Sequence, residues 1–443
     1  MLTSRRRRIV LAIVAAFTVV LVAGAVLIYP AWRAKQGNGV KWTTDITAGA
    51  LLDYDEGRLL LVDTTTGPGQ LTVVNRRTGG VQQAGTVDLQ RRASLVPDGV
   101  VASVGGELIL TGADGDPVWT KKQGLGSFPL HTLVAVDLDA GVVLSAVDPP
   151  EFGGSLTAFA IADGAPVWTI PNINRVGNFR IKAEPVRPPG ALRDTTLIPV
   201  IRQGDFGPHA TAMIATWSLV SVKTHTFVTT VVEDTSTGNP LATGAATVPN
   251  GVADCSALTV AASSTPVRWK ESPPAVDCDL VPALDSTRVL MTARREAEQV
   301  GGRHRVTLLS LTLESGEVTR LDWRGTLADT YVQRQGRELQ QSWGRFLFLD
   351  GVVYDTTTGQ KAWTAEEAWI TDDGAVVAER VTGIDRLVTG ASDDSRWLRL
   401  VDPRTGDATG GSYISDQPVT NAYPVDDEAL IITTSKITLL GDE

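Results

Sequence analysis

The chain has 443 residues, 43% apolar and 20% charged, with 43 Gly, 23 Pro and two Cys. That composition excludes a disordered or fibrous chain. The formal charge is −10, and setting aside Arg5 to Arg8 leaves −14 on residues 9–443, an acidic body that excludes nucleic acid as a partner.

At the amino end, residues 1–8 form a short basic tip, and an uncharged run of 20 residues follows from Ile9 to Ile28. At about 1.5 Å per residue, a helix of that length covers roughly the 30 Å of a hydrocarbon core. Segment 9–29 is therefore read as a single transmembrane helix, with the lipid bilayer as its partner. Tyr29 and Trp32 fall where amphipathic rings favour the interface, and Pro30 gives the helix a reason to stop. The arginines hold the tip in the cytoplasm, which places everything after the span outside the plasma membrane. A signal peptide cleaved at Ala23-Gly24-Ala25 is the alternative, although its apolar core would usually run only about 7 to 15 residues. No Cys precedes Cys255, so there is no lipobox.

Residues 30–39 read as a linker. From Val40 onward, short apolar runs alternate with Gly and Asp turns, with almost no helical periodicity. One unit recurs. Leu108-Ile-Leu-Thr-Gly-Ala-Asp114-Gly115-Asp-Pro-Val-Trp119 is echoed by Leu156-Thr-Ala-Phe-Ala-Ile-Ala-Asp163-Gly164-Ala-Pro-Val-Trp168. Val352-Val-Tyr-Asp355-Thr-Thr-Thr-Gly359-Gln-Lys-Ala-Trp363 follows the same plan, and weaker copies end at Gly79, Gly238, Gly316 and Gly406. In each, an apolar strand enters a tight turn where Asp or Asn bonds nearby backbone N–H groups and Gly supplies positive φ. A second strand then leaves, so each copy is a β-hairpin.

The turn glycines are separated by 36, 49, 74, 78, 43 and 47 residues. Gaps under about 50 suit one four-stranded blade each. The two long gaps require insertions, at about 171–212, broken by Pro185, Pro188, Pro189, Pro199 and Pro208, and at about 239–278. At the ends, Val40-Lys-Trp42-Thr matches the strand after a turn, and Lys436-Ile-Thr-Leu-Leu matches the strand before one. Pairing them in a composite blade closes a ring and removes its free edges. Seven hairpins and this closure predict eight blades over residues 40–443, with seven blades as the alternative.

These repeats resemble the quinoprotein-type (PQQ-like) β-propeller family, in which a strand, Asp-x-x-Thr-Gly and a Trp-bearing strand alternate. The resemblance covers nearly all of residues 40–443, and the non-enzymatic BamB-like branch is similar in character. It implies an all-β propeller whose rim or funnel binds other molecules, and the hairpin count makes that an eight-bladed β-propeller. BamB-like proteins are lipoproteins, whereas this chain carries an apolar span. Enzymatic members of the family hold their quinone against adjacent cysteines, beside calcium and a catalytic Asp, and this chain has no adjacent cysteines.

The remaining chemistry is sparse. Cys255 and Cys278, in an oxidising compartment, are expected to form a disulfide worth about 3 kcal/mol. Asp137–Gly141 and Asp372–Gly374 read as turns, lacking the oxygen-rich run of a calcium loop. His131, His209, His225 and His304 have no ligand spacing. No catalytic, cofactor-binding or metal-binding residue is assigned, and no cofactor is expected. Trp42, Trp119, Trp168 and Trp363 share one repeat position and are assigned to packing between blades. Trp269, flanked by Arg268 and Lys270 in the second insertion, is the candidate partner contact. The function expected is that of a non-catalytic scaffold or assembly factor binding a protein of the cell envelope. A membrane-anchored PQQ-dependent dehydrogenase and an envelope ligand sensor are the alternatives.

Overall fold

Runs rich in Val, Leu and Ile, punctuated by Asp, Asn and Gly turns, fold into antiparallel sheets of mostly four strands. The computed structural model describes Tyr29 and residues 31–35, 37–47, 49–63, 69–88, 92–122, 130–148, 154–171, 173–176, 189–190, 192–193, 195, 197–202, 216–228, 230–234, 257–262, 265–270, 277–283, 288–300, 303–312, 318–323, 326–328 and 344–441. Consecutive strands pair within each sheet, as in Ala50–Tyr54, Arg58–Asp63, Gly69–Asn75 and Val81–Val87. First strands of neighbouring sheets touch: Ala50–Tyr54 meets both Ala93–Val96 and Val419–Val425, and Val419–Val425 meets Glu367–Ile370. First strands therefore surround a common axis, and the protein is an all-β propeller.

Burial follows from that geometry. Leu59, Leu60, Leu61 and Val62 are all 0% exposed, because a second strand is covered on both faces by neighbouring sheets. The outer strand Val81–Val87 shows mostly exposed positions instead. Cores form between sheets: Leu59 and Leu61 share a cluster with Leu95, Leu430, Ile432 and Leu439.

The expected closure is present. Val40–Asp45 pairs antiparallel with Lys436–Leu440, placing Trp42 opposite Leu439 and Asp45 opposite Lys436. The closing sheet is completed by Val419–Val425 and Glu428–Thr433.

Two features go beyond the expectations. The turn assigned at Gly238 lies outside the described residues: Thr230–Asp234 pairs with Ala257–Ala262, and a tight hairpin that the repeat did not mark lies earlier, between Thr216–Ser221 and Phe227–Val228. His225 takes the positive φ there, 58°, in the place of glycine, which is why a search for Gly misses it. The linker is also more structured than composition suggested, since residues 31–35 are helical with Ala31 and Ala34 0% exposed.

Among the described residues no helix is long and apolar enough to cross a membrane. Residues 1–28, which carry the expected span, lie outside them, as do Cys255 and most of the insertions 171–212 and 239–278.

Candidate functional site

The repeated turns set the positions of everything else at one end of the ring. In the turn 75–80 the N–H of Gly79 donates to the carbonyl of Asn75, and that of Asn75 to Gly80. Turns at Ala160–Ala165, Ser221–Thr226, Asp355–Gln360 and Asp402–Asp407 repeat both bonds. Each repeat-position Trp reaches the turn of the following blade. The indole N–H of Trp42 donates to Arg76 O at 2.7 Å, that of Trp119 to Ile161 O at 2.8 Å, and that of Trp363 to Pro403 O at 2.9 Å. Gly79, Gly164 and Gly406 lie over these rings, where an added Cβ would sit 2.9 Å from the indole in all three cases. Trp168 stacks on His225 instead, with ring centroids 4.3 Å apart.

At the ring's inner strands sits a buried carboxylate that sequence reading missed. Asp53 is 1% exposed, on a first strand. Its Oδ1 accepts from Arg193 Nε at 2.9 Å and from the N–H of Tyr54, and its Oδ2 accepts from Ser94 Oγ at 2.7 Å and from the N–H of Leu95. Burial pushes the Asp53 carboxyl above its usual range, against the opposing pull of Arg193, Ser94 and the two N–H groups. Arg193 comes from the first insertion. There the N–H of Gly190 donates to Leu52 O and the carbonyl of Leu192 accepts from Val136, so one segment bridges the first strands of two sheets. This part of the insertion is a tie across the ring's interior.

A second cluster lies beside the closure. Arg76, 8% exposed, donates from Nε to Glu428 Oε2 at 2.6 Å, from one amino group to Asp426 at 2.7 Å, and from the other to Val425 O at 3.1 Å. Lys41 pairs with the other oxygen of Glu428. Burial draws the Arg76 guanidinium down, but Asp426 and Glu428 more than offset it and hold it above its usual range. Lys41, Glu56, Arg76, Arg77 and Glu428 line an open groove of about 460 Å³. The groove presents charges of both signs, with Arg76 and Glu428 held in place by their mutual bond.

The residues assigned from sequence lie elsewhere. Arg268, Trp269 and Lys270 stand on Thr265–Lys270, in register with Thr259, Leu258 and Ala257 of the neighbouring strand. Cys278 stands opposite Ala293, and Cys255 lies outside the described residues. Asp137 accepts from the N–H of Ala140 within its own turn, whereas Asp372 accepts from the N–H of Arg345, 27 positions earlier in the chain. His131 is buried edge-on against Phe159, and burial together with nearby Lys121 lowers its pKa.

A quinone with calcium, as enzymatic members of the resembled family hold, does not fit Asp53, the buried carboxylate described above. Both oxygens of Asp53 are already occupied by Arg193, Ser94 and backbone donors. Calcium takes six to eight oxygen ligands, whereas no group of three His, Cys, Asp or Glu among the described residues could hold a metal.

No family model and no curated protein matches the chain. The solved structures similar to it are β-propellers. The Dos1 propeller is 10% identical with TM-score 0.45, covering 93% of this chain and 97% of its own. The WD40 domain of Toxoplasma gondii coronin is 9% identical with TM-score 0.33, covering 91% and 87%. Quinohemoprotein alcohol dehydrogenase ADHIIG from Pseudomonas putida HK5 is 12% identical with TM-score 0.39, covering 93% and 78%. Likenesses this distant carry nothing about activity.

Proposed function

We propose that the protein is a membrane-anchored, extracytoplasmic β-propeller that works as a non-catalytic scaffold for a protein of the cell envelope. The observation that supports this best is the groove at the closing blade. Arg76 and Glu428 are buried and bonded to each other before any partner arrives, so the groove's charges are preorganised. Preorganised charge gives specificity at little ordering cost. A span over residues 9–29, with the amino end in the cytoplasm, would hold this groove at high local concentration near envelope machinery.

The ring is proposed to have eight blades, one per tight hairpin plus the closure. The three-stranded sheet of Thr230–Asp234, Ala257–Ala262 and Thr265–Lys270 is then a decoration contributed largely by the second insertion. A Cys255–Cys278 disulfide would staple that decoration, and Arg268, Trp269 and Lys270 would extend the contact surface. Intact-mass measurement with and without reductant checks the disulfide through the two hydrogen atoms gained on reduction, about 2 Da.

The scaffold reading is tested by crosslinking in intact membranes followed by affinity purification and mass spectrometry. Glu56 and Arg77 are exposed, so Glu56→Lys with Arg77→Glu reverses two of the groove's five charges without disturbing the core. This pair, or deletion of 239–278, is expected to release envelope proteins that the unaltered chain retains. An unchanged partner set from both variants overturns the placement.

A further inference from the structure

Five of the nine exposed large apolar side chains among the described residues lie in two short helical segments. Tyr29 and Trp32, 54% and 49% exposed, belong to the first. Ile384, Leu387 and Val388, 60%, 83% and 38% exposed, belong to the helix Gly383–Thr389, which joins Ala375–Arg380 to Arg396–Val401.

This helix is amphipathic in the wrong sense for a surface helix. Positions 384, 387 and 388 follow the i, i+3, i+4 spacing of one helical face, yet that face points to solvent and the buried residue is Thr389. Seven residues are too few for a helix to be stable on propensity alone, so an uncovered apolar face calls for a covering surface.

The two segments share one base. Ala34 packs in a cluster with Val381 and Ala391, which flank the helix on either side, and with Ile414. Lys35 pairs with Asp416, which also accepts from Ser395 at 3.0 Å. The carbonyl of Asn38 accepts from Ser412 at 2.9 Å, and that of Gly39 from Gly441 at 2.9 Å. The chain entering the ring is thus fastened beside the helix, and the 20 uncharged residues Ile9 to Ile28 end directly before Tyr29.

We infer that the helix Gly383–Thr389 lies in the outer surface of the lipid bilayer, with Ile384, Leu387 and Val388 at the headgroup boundary alongside Tyr29 and Trp32. The inference rests on the membrane-anchored reading proposed above. Stacked Tyr29 and Trp32, with Arg33 over the Tyr29 ring at 5.6 Å, have the amphipathic character of residues at that depth.

Two attachments fix an orientation where one would leave the propeller free to swing. The register places Arg380, Arg396 and Ser415 together at the strand ends from which the helix projects. The turns at Asp402–Asp407, Asp426 and Arg76–Gly79 belong to the opposite strand ends. With the helix in lipid, the groove of Lys41, Arg76 and Glu428 faces away from the membrane.

The test uses the full chain in vesicles of phosphatidylethanolamine and phosphatidylglycerol containing a phospholipid with a photoactivatable acyl chain. Crosslinked peptides are read by mass spectrometry. Adducts are expected on peptides from both 9–28 and 383–389, and Leu387→Glu is expected to cut the second yield about tenfold while sparing the first. Leu387 is 83% exposed, so this variant keeps the fold. Adducts on 9–28 alone overturn the helix inference and leave the anchor standing. Adducts on neither overturn the anchored reading itself. Chain-to-chain links through 383–389, formed by an added bifunctional crosslinker where lipid adducts are missing, make a second chain the covering surface and also overturn the inference.

Discussion

Trp42 stands opposite Leu439 in the strand pair that joins the two ends of the ring, and its indole N–H reaches Arg76 O in the following blade. One side chain thereby serves both the closure and the contact between neighbouring sheets. Trp42→Phe keeps most of the ring packing and removes the bond, so a loss of about 1 kcal/mol is expected. Trp42→Ala removes both and is expected to cost about 3–5 kcal/mol. Urea denaturation measures each, and hydrogen exchange at residues 436–440 should quicken more in the alanine variant. Equal losses would mean that the bond, not the packing, holds the closure.

The glycine lying over the Trp119 ring offers a cleaner separation of two costs. Gly141 and Gly164 have nearly the same φ, +65° and +68°, but nothing lies within 4 Å of a Cβ built on Gly141, whereas Trp119 and Lys121 crowd one on Gly164. Gly141→Ala should cost only the backbone strain, about 1–2 kcal/mol. Gly164→Ala should cost about 1–3 kcal/mol more, because the indole must move. If the two variants melt together, docking of Trp119 on the turn contributes nothing to stability.

The contrast between these residues shows what a sequence exposes. A Trp four residues after a turn Gly is a local pattern, as are the half-units around Trp42 and Leu439, so the repeat and its closure could be read directly. The turn at Ser221–Thr226 makes the same backbone bonds with His225 at positive φ, a fact carried by a dihedral angle and by no residue pattern. Asp53 and Arg193 lie 140 positions apart in different blades, and nothing local joins them. Residues 31–35 are too few to show a helical period, and their buried alanines looked like linker composition.

Removing either partner of the Asp53–Arg193 pair strands a buried charge, a change that costs about 3–5 kcal/mol. Asp53→Ala and Arg193→Ala are each expected in that range, and the double variant should lose less than their sum. The sign of the pH effect follows from the raised Asp53 pKa. A carboxyl raised in the folded state favours folding below its unfolded pKa and loses that contribution as pH rises through the folded value. Without Arg193 the carboxyl is pushed further up, so the deficit of Arg193→Ala should shrink on acidification. A deficit that stays constant across pH would show that Arg193 acts through packing of its stem.

Asp355 provides the opposite case. Burial alone would raise its carboxyl, but bonds from Arg345, at 3.0 Å to Oδ1 and 2.5 Å to Oδ2, and from the N–H of Thr357 hold it at about 2. A carboxyl lowered in the folded state stabilises the protein above its unfolded pKa, 3.8, and that contribution is lost as pH falls toward about 2. Because Arg345 is 41% exposed, screening reduces the contribution at neutral pH to about 1–2 kcal/mol. Asp355→Asn isolates the charge, since Asn75 makes the same turn with its Oδ1 accepting from Arg77 and Thr78 at 3.0 Å. The variant should therefore be weaker than the parent at pH 7 and converge with it between about pH 4 and pH 2. Denaturation curves taken across that window decide the matter: a gap that stays constant would assign the loss to altered turn geometry instead of the ion pair.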